Sequence, residues 1–272
     1  MAQNAPSVAP DKLSVNAVGK TFLTRGSSLV VLDDINFNVR AGEFFVIVGQ
    51  SGCGKTTFLR IVQGLDQPTS GGIELDGRPL HGPGPDRGFV FQHDALFPWR
   101  TILRNVMFGQ ELRGTPRAEA EREARKIISL VGLAGFEQHY PHELSGGMRQ
   151  RVNLARAFAV NPDLLLMDEP FAALDALTRE SMQQELVRIV AETGKTVLFI
   201  THQIDEAVLL ADRIAVFSAR PGRVASIVDV DLPRPRTLAL KRTPEFQAMV
   251  EHVWSLIAGA DHDGGPPTGA HI

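Results

Sequence analysis

The chain has 272 residues, 43% hydrophobic and 22% charged, which is enough for one large α/β domain or two small ones with a buried core and excludes overall disorder. A net charge of −3 and a pI near 6.2 exclude a strong electrostatic footprint for nucleic acid, and a single cysteine excludes an intrachain disulfide. No apolar run approaches the roughly 20 residues needed to span a bilayer, and Met1 to Pro10 lacks the basic start and apolar stretch of a secretory signal, so any membrane role must come through a partner.

Residues 1–10 read as a flexible tail. Strand patterns follow at Leu13 to Val18, Val30 to Val39 and Phe44 to Val48, the last an apolar run that reads as a buried strand. The next residues, Gly49-Gln50-Ser51-Gly52-Cys53-Gly54-Lys55-Thr56, fit the G-x-x-x-x-G-K-[ST] phosphate-binding loop without a mismatch, and Thr56 to Val62 reads as the opening of a helix. Strand, glycine loop and helix are what the chemistry needs. Backbone N–H groups close around phosphate oxygens, and the helix N-terminus favours the anion. Lys55 would reach the terminal phosphates and the Thr56 hydroxyl would hold Mg²⁺. Cys53, beside Lys55 and a helix N-terminus, is expected to be a reactive thiol.

A further strand is predicted at Gly88 to Phe91. The stretch 93–160 is mostly helical, with Ala120, Ala124, Ile127, Ile128 and Val131 on one face and Glu121 spaced to pair with Arg125. It reads as a helical subdomain inserted into the α/β core. Its start, Asp94-Ala95-Leu96-Phe97-Pro98-Trp99-Arg100, is apolar and aromatic where a loop is expected, which suits either a partner surface or internal packing. Ser145, in Leu144-Ser145-Gly146-Gly147-Met148-Arg149-Gln150, is placed to cap a helix over Gly146 to Ala159. The two glycines leave backbone N–H groups open, so this is a plain helix cap or a second anion-seeking N-terminus that acts on a nucleotide held by another copy.

Leu164 to Met167 is an apolar strand that runs into Asp168 and Glu169. Strand alternation predicts that the two carboxylates point to different sides, Asp168 toward Mg²⁺ and Glu169 toward the attacking water. Met182, Leu186, Ile189 and Val190 mark an amphipathic helix, and Val197 to Ile200 and Ile214 to Phe217 read as strands. Leu232-Pro233-Arg234-Pro235-Arg236 reads as a stiff solvated linker, and residues 259–272 as a second tail. Residues 11–258 then form the ordered domain.

The phosphate loop, L-S-G-G-x-x-Q and L-L-L-M-D-E-P, in that order, resemble the ATP-binding domain of ABC transporters, and the resemblance spans about Leu13 to Ile257. It implies a RecA-like phosphate-loop NTPase core, α/β with a mainly parallel sheet plus an antiparallel β part and the inserted helical subdomain. It implies ATP and Mg²⁺ as cofactors. Gly49 to Thr57, including Thr57 itself, would cradle the phosphates, and Thr56, Gln92 and Asp168 would hold the metal. Glu169 would be the general base, and His202, after Phe199-Ile200-Thr201, the switch histidine at the γ-phosphate. Ser145, Gly146 and Gly147 would act on the nucleotide of a second copy, with Asp175 of Ala173-Leu174-Asp175 at the dimer interface. Phe22 would stack on adenine, where a core phenylalanine is the alternative. Leu96-Phe97-Pro98-Trp99, Phe171 to Arg179 and Leu232 to Arg236 are similar to the ATPases of nitrate, taurine and aliphatic sulfonate importers. That similarity implies a peripheral subunit on the cytoplasmic face of the inner membrane, paired with a membrane permease and indirectly with an extracytoplasmic solute-binding protein, and no nucleic-acid partner. A soluble, non-transport ABC ATPase acting on a macromolecule is the alternative.

Overall fold

The computed structural model describes residues 10–24, 26–92 and 95–262. In chain order its elements are β1 (Asp11–Thr24), β2 (Ser27–Arg40), β3 (Phe44–Gly49), α1 (Lys55–Gln63), β4 (Ser70–Leu75), β5 (Arg78–Pro79), β6 (Arg87–Val90), α2 (Ile102–Leu112), α3 (Arg117–Leu130), α4 (Gly146–Ala159), β7 (Leu164–Asp168), α5 (Ala176–Thr193), β8 (Thr196–Ile200), α6 (Ile204–Leu210), β9 (Arg213–Phe217), β10 (Val224–Asp229) and α7 (Pro244–His262). Residues 1–9 of the first tail and 263–272 of the second lie outside the described residues. Residues 259–262 continue α7 rather than open a tail.

Two sheets meet. β2, β1, β4 and β5 form an antiparallel sheet in that order, and β10, β9, β3, β8, β7 and β6 form a six-stranded sheet. In the second sheet every pair is parallel except β10 with β9, so one antiparallel strand closes one edge. β3, β7, β8 and β9 are buried at every position, which explains why they read as unbroken apolar runs instead of alternating ones. The pleat of β3 still sorts its side chains. Phe44, Val46 and Val48 join the core under α2–α7, while Phe45 and Ile47 join the core shared with α1 and the antiparallel sheet.

The helical face foreseen in α3 is buried at Ala120, Ala124 and Ile128, followed by Val131, with Ile127 packed at its margin. Arg125 Nη2 meets Glu121 Oε1 at 2.7 Å on the exposed side. The segment from Ala95 to Arg100 divides its aromatics. Phe97 packs edge-on to Phe108 at 4.7 Å, whereas Trp99 is 72% exposed. Buried Asn105 pins this segment by accepting from Phe97 N–H and donating to the carbonyls of Phe97, Arg100 and Thr101.

The linker expected at Leu232 to Arg236 is solvated at Pro233, Arg234 and Pro235 but anchored at both ends, where Leu232 and Arg236 are buried. Arg236 is buried with its guanidinium on the carbonyls of Leu232, Val230 and Ala211, and burial pulls its pKa down to about 10. Arg234 pairs with Asp212 at 2.5 Å. Three carbonyl acceptors make burial of one arginine tolerable, a pattern that no local sequence signal announces.

Candidate functional site

The site lies where β3, β7 and β8 end side by side. Register aligns Ile47 with Ile200 and Ile200 with Asp168, so the loops leaving these three strands start at one level of the sheet. Crevices at the carboxyl ends of parallel strands are the common ligand position in such sheets.

The loop after β3 turns through left-handed glycines at Gly52 and Gly54. Gly54 has φ 103°, and a Cβ there would lie 2.7 Å from Leu32 Cδ2, so the position needs glycine on both counts. Lys55 is buried and donates from Nζ to the carbonyls of Gly49 at 2.7 Å and Gln50 at 2.9 Å, which curls the loop around its own ammonium. The segment Ser218 to Arg223 braces this loop from outside. Arg220 Nε donates to Gly52 O at 2.8 Å, Gly222 N–H donates to Val31 O and Gly222 O accepts from Asp33 N–H.

Cys53 corrects the sequence reading. It is 1% exposed, and burial pushes its thiol up, with Lys55 pulling only partly the other way. A neutral, enclosed thiol is not the reactive one expected.

Thr56, in the first turn of α1, donates its hydroxyl to Asp168 Oδ1 at 3.3 Å. Burial pushes the Asp168 carboxyl up and the charge of Glu169 adds to this, while the Thr56 bond pulls it back. Glu169 follows at φ 44°, in the left-handed region, with its N–H on Ile200 O. Its side chain reaches His202, Oε2 to Nδ1 2.9 Å. The two carboxylates therefore diverge as expected, but through a left-handed turn at Glu169 and not through strand pleat. A non-glycine residue held there carries about 1–3 kcal/mol of backbone strain.

Gln92 is exposed in the loop after β6, one strand over from Asp168. Phe22 lies on β1 and is 37% exposed with Lys20 Nζ over its ring, which rules out the core alternative. Ser145 caps α4 by accepting from Met148 N–H at 3.3 Å, and Asp175 caps α5 by accepting from Thr178 N–H at 3.1 Å. The two caps are neighbours, because a Cβ on Gly147 would fall 2.5 Å from Thr178 Cγ2. Ser145, Gly146 and Gly147 are thus carried against α5. Thr56 with Asp168 and Glu169 with His202 form the two bonded pairs at the strand ends.

Sequence reasoning passed over Arg179. Its guanidinium joins the segment after Glu169 to the residue after His202. Arg220 was missed as well; only its proximity to Gly52 in space reveals it.

Beside Gln92, an apolar groove of about 450 Å³ opens between the β6 end, α2 and α4, lined by Phe89, Phe91, Phe97, Phe108, Leu112 and Val160 among others. Leu112 and Phe91 are exposed in it. Among the described residues no helix is long and apolar enough to cross a membrane.

Residues 32–172 match the family described as ABC transporter. The chain is 44% identical to the nitrate import ATP-binding protein NrtD of Synechocystis sp., with 92% of this chain and 96% of that one covered. It is 49% identical to the taurine import ATP-binding protein TauB of Burkholderia pseudomallei, with 82% and 86% covered. Among solved structures it resembles the ATP-binding cassette MJ0796 in a dimeric post-hydrolysis state bound to ADP and Pi, at TM-score 0.70 and 34% identity over 81% of this chain and all of that one.

Proposed function

The chain belongs to the ABC transporter family as an ATP-binding, ATP-hydrolysing subunit, and from that premise we propose that it powers import of a small solute such as nitrate, taurine or a sulfonate through a separate membrane permease. The observation that carries the catalytic half is the convergence of Thr56–Asp168 and Glu169–His202 at adjoining strand ends. The importer half is supported by the names of the relatives and by the apolar groove beside Gln92.

In this reading adenine stacks on Phe22, and the backbone of Gly49 to Thr57 holds the phosphates, with Gln50, Ser51, Gly52, Cys53 and Gly54 supplying N–H groups. Lys55 moves from its loop carbonyls to the terminal phosphates. The hydroxyl of Thr56, the buried carboxylate of Asp168 and the amide oxygen of Gln92 form a hard oxygen donor set that suits Mg²⁺. When bound, that ion neutralises phosphate charge; these three residues would hold it. Glu169 takes the proton of the attacking water. His202 orients Glu169 and steadies charge on the γ-phosphate. Ser145, Gly146 and Gly147 of a second copy close the site, with Asp175 at the shared interface. The reaction is phosphoryl transfer to water by positioning and electrostatics.

The helical stretch 93–160 is the arm that meets the permease, and the groove beside Gln92, with exposed Trp99 next to its Phe97 wall, receives a permease segment. The chain sits peripherally at the cytoplasmic face of the inner membrane, and a solute-binding protein acts from the other side. The test is a pull-down of the tagged chain from its own cells in mild detergent, with partners identified by mass spectrometry. A polytopic membrane protein is expected, and Trp99→Asp should lose it while the ATPase of the isolated chain persists. Recovery of ribosomes or repair proteins in its place would remove the importer reading.

A further inference from the structure

The first turn of α5 touches three segments at once. From Arg179, Nε donates to Phe171 O at 3.3 Å, Nη2 to Leu174 O at 2.8 Å and Nη1 to Gln203 Oε1 at 3.1 Å. Two of these bonds fix the 171–174 loop that begins two residues after Glu169. The third fixes the side chain next to His202. All three guanidinium nitrogens are engaged, in three directions, which one lysine ammonium at the same place could not reproduce. Thr178, one residue earlier, is the contact that excludes a Cβ from Gly147. Arg151 of α4 adds a bond to Ser181 Oγ at 3.4 Å.

Glu169 and His202 come from different strands, and their 2.9 Å contact exists only if the two loops keep one relative position. The strand ends join the two backbones, since Glu169 N–H donates to Ile200 O, but that bond does not fix the two side chains. Glu169 leaves the sheet through a left-handed turn, and His202 is exposed after β8.

We propose that Arg179 is a positioning residue that holds the 171–174 and 201–203 loops in one frame, so that Glu169 and His202 meet, and that links this pair to the Gly147 segment through the same helical turn. The proposal rests on Glu169 and His202 being the hydrolytic pair. Because Thr178 and Arg179 are consecutive, a shift of the Gly147 segment against α5 is passed to the loops that carry the pair. The surface a chain offers to its neighbour's nucleotide and the chemistry on its own nucleotide then share one turn of helix.

The test is steady-state ATP hydrolysis by the full-length chain and its variants. Arg179→Ala is expected to lower kcat by about tenfold or more with KM for ATP within about twofold, and Arg179→Lys to fail to restore it. Gln203→Ala keeps both carbonyl bonds and is expected to lower kcat in the same way. The double variant should be no worse than Arg179→Ala, since both changes cut one link. Additive losses, a loss confined to KM, or full kcat in Gln203→Ala would overturn the proposal, and Gln203→Ala decides the matter even where Arg179→Ala does not fold. Failure of the underlying reading is distinguishable: normal turnover in Glu169→Gln would sink the hydrolytic pair itself. A dead Glu169→Gln beside a fully active Arg179→Ala would sink only the role of Arg179.

Discussion

Glu169 Oε2 and His202 Nδ1 are 2.9 Å apart although one follows β7 and the other follows β8. The contact orients the imidazole. With Nδ1 donating to the carboxylate, Nε2 is left to face a second group. Replacing Glu169 by Gln keeps the shape and removes the basic oxygen. Glu169→Gln should bind ATP, lose about 10²–10⁴-fold in turnover and accumulate as a dimer in ATP. ATPase assays with size-exclusion chromatography check both parts; near-normal turnover would refute the assignment.

Cys53 gives a prediction opposite to the one its neighbours suggest. With the thiol enclosed and pushed up by burial, N-ethylmaleimide should label the native chain slowly and the unfolded chain rapidly. Mass spectrometry of time points reads the ratio, and comparable rates in both states would contradict the enclosed placement.

Gly147 and Thr178 pack so closely that Gly147→Ala should cost about 1–3 kcal/mol of stability through overpacking. Thr178→Ser removes the opposing methyl and should recover most of that loss in the double variant. Urea denaturation of the four proteins tests the pair, and a double variant as unstable as Gly147→Ala would place the strain elsewhere.

Glu206 supplies a pH signature. Burial raises its pKa above the ordinary 4.5, while Thr201 and Gln183 bond to it and pull it back. The folded state therefore binds this proton more tightly than the unfolded one. The corresponding stability is fully present below pH 4.5 and is lost as pH rises through the elevated folded value. Glu206→Gln cannot ionise, so its melting temperature relative to the wild type should improve from acid to neutral pH. A difference independent of pH would show that Glu206 does not titrate in this way.

Much of this was legible in the sequence. Seven strands were foreseen because each carries an apolar run or an apolar–polar alternation, and the Ser145 cap and the buried face of α5 followed from spacing. β4, β5 and β10 were not. β4 opens Ser70-Gly71-Gly72, which reads as a turn; β5 has two residues; and β10 mixes Ala225 and Ser226 into a short edge strand. These strands owe their state to partners across the sheet, a tertiary effect. At the site, the motifs picked out residues that the strand ends bring together, Thr56 with Asp168 and Glu169 with His202, but not how they are held. The left-handed turn at Glu169, the enclosure of Cys53 and the bond from Arg179 to Gln203, 24 residues apart in the chain, depend on contacts that no local pattern announces.

The brace formed by Arg220 and Gly222 joins the loop after β3 to β2, the strand that pairs with β1 where Phe22 sits. In the proposed reading, a nucleotide with its base on Phe22 and its phosphates in that loop would be gripped at both ends by one hydrogen-bonded unit. Binding would then spend little free energy on closing the chain around its ligand, and the surplus would remain for drawing two copies together.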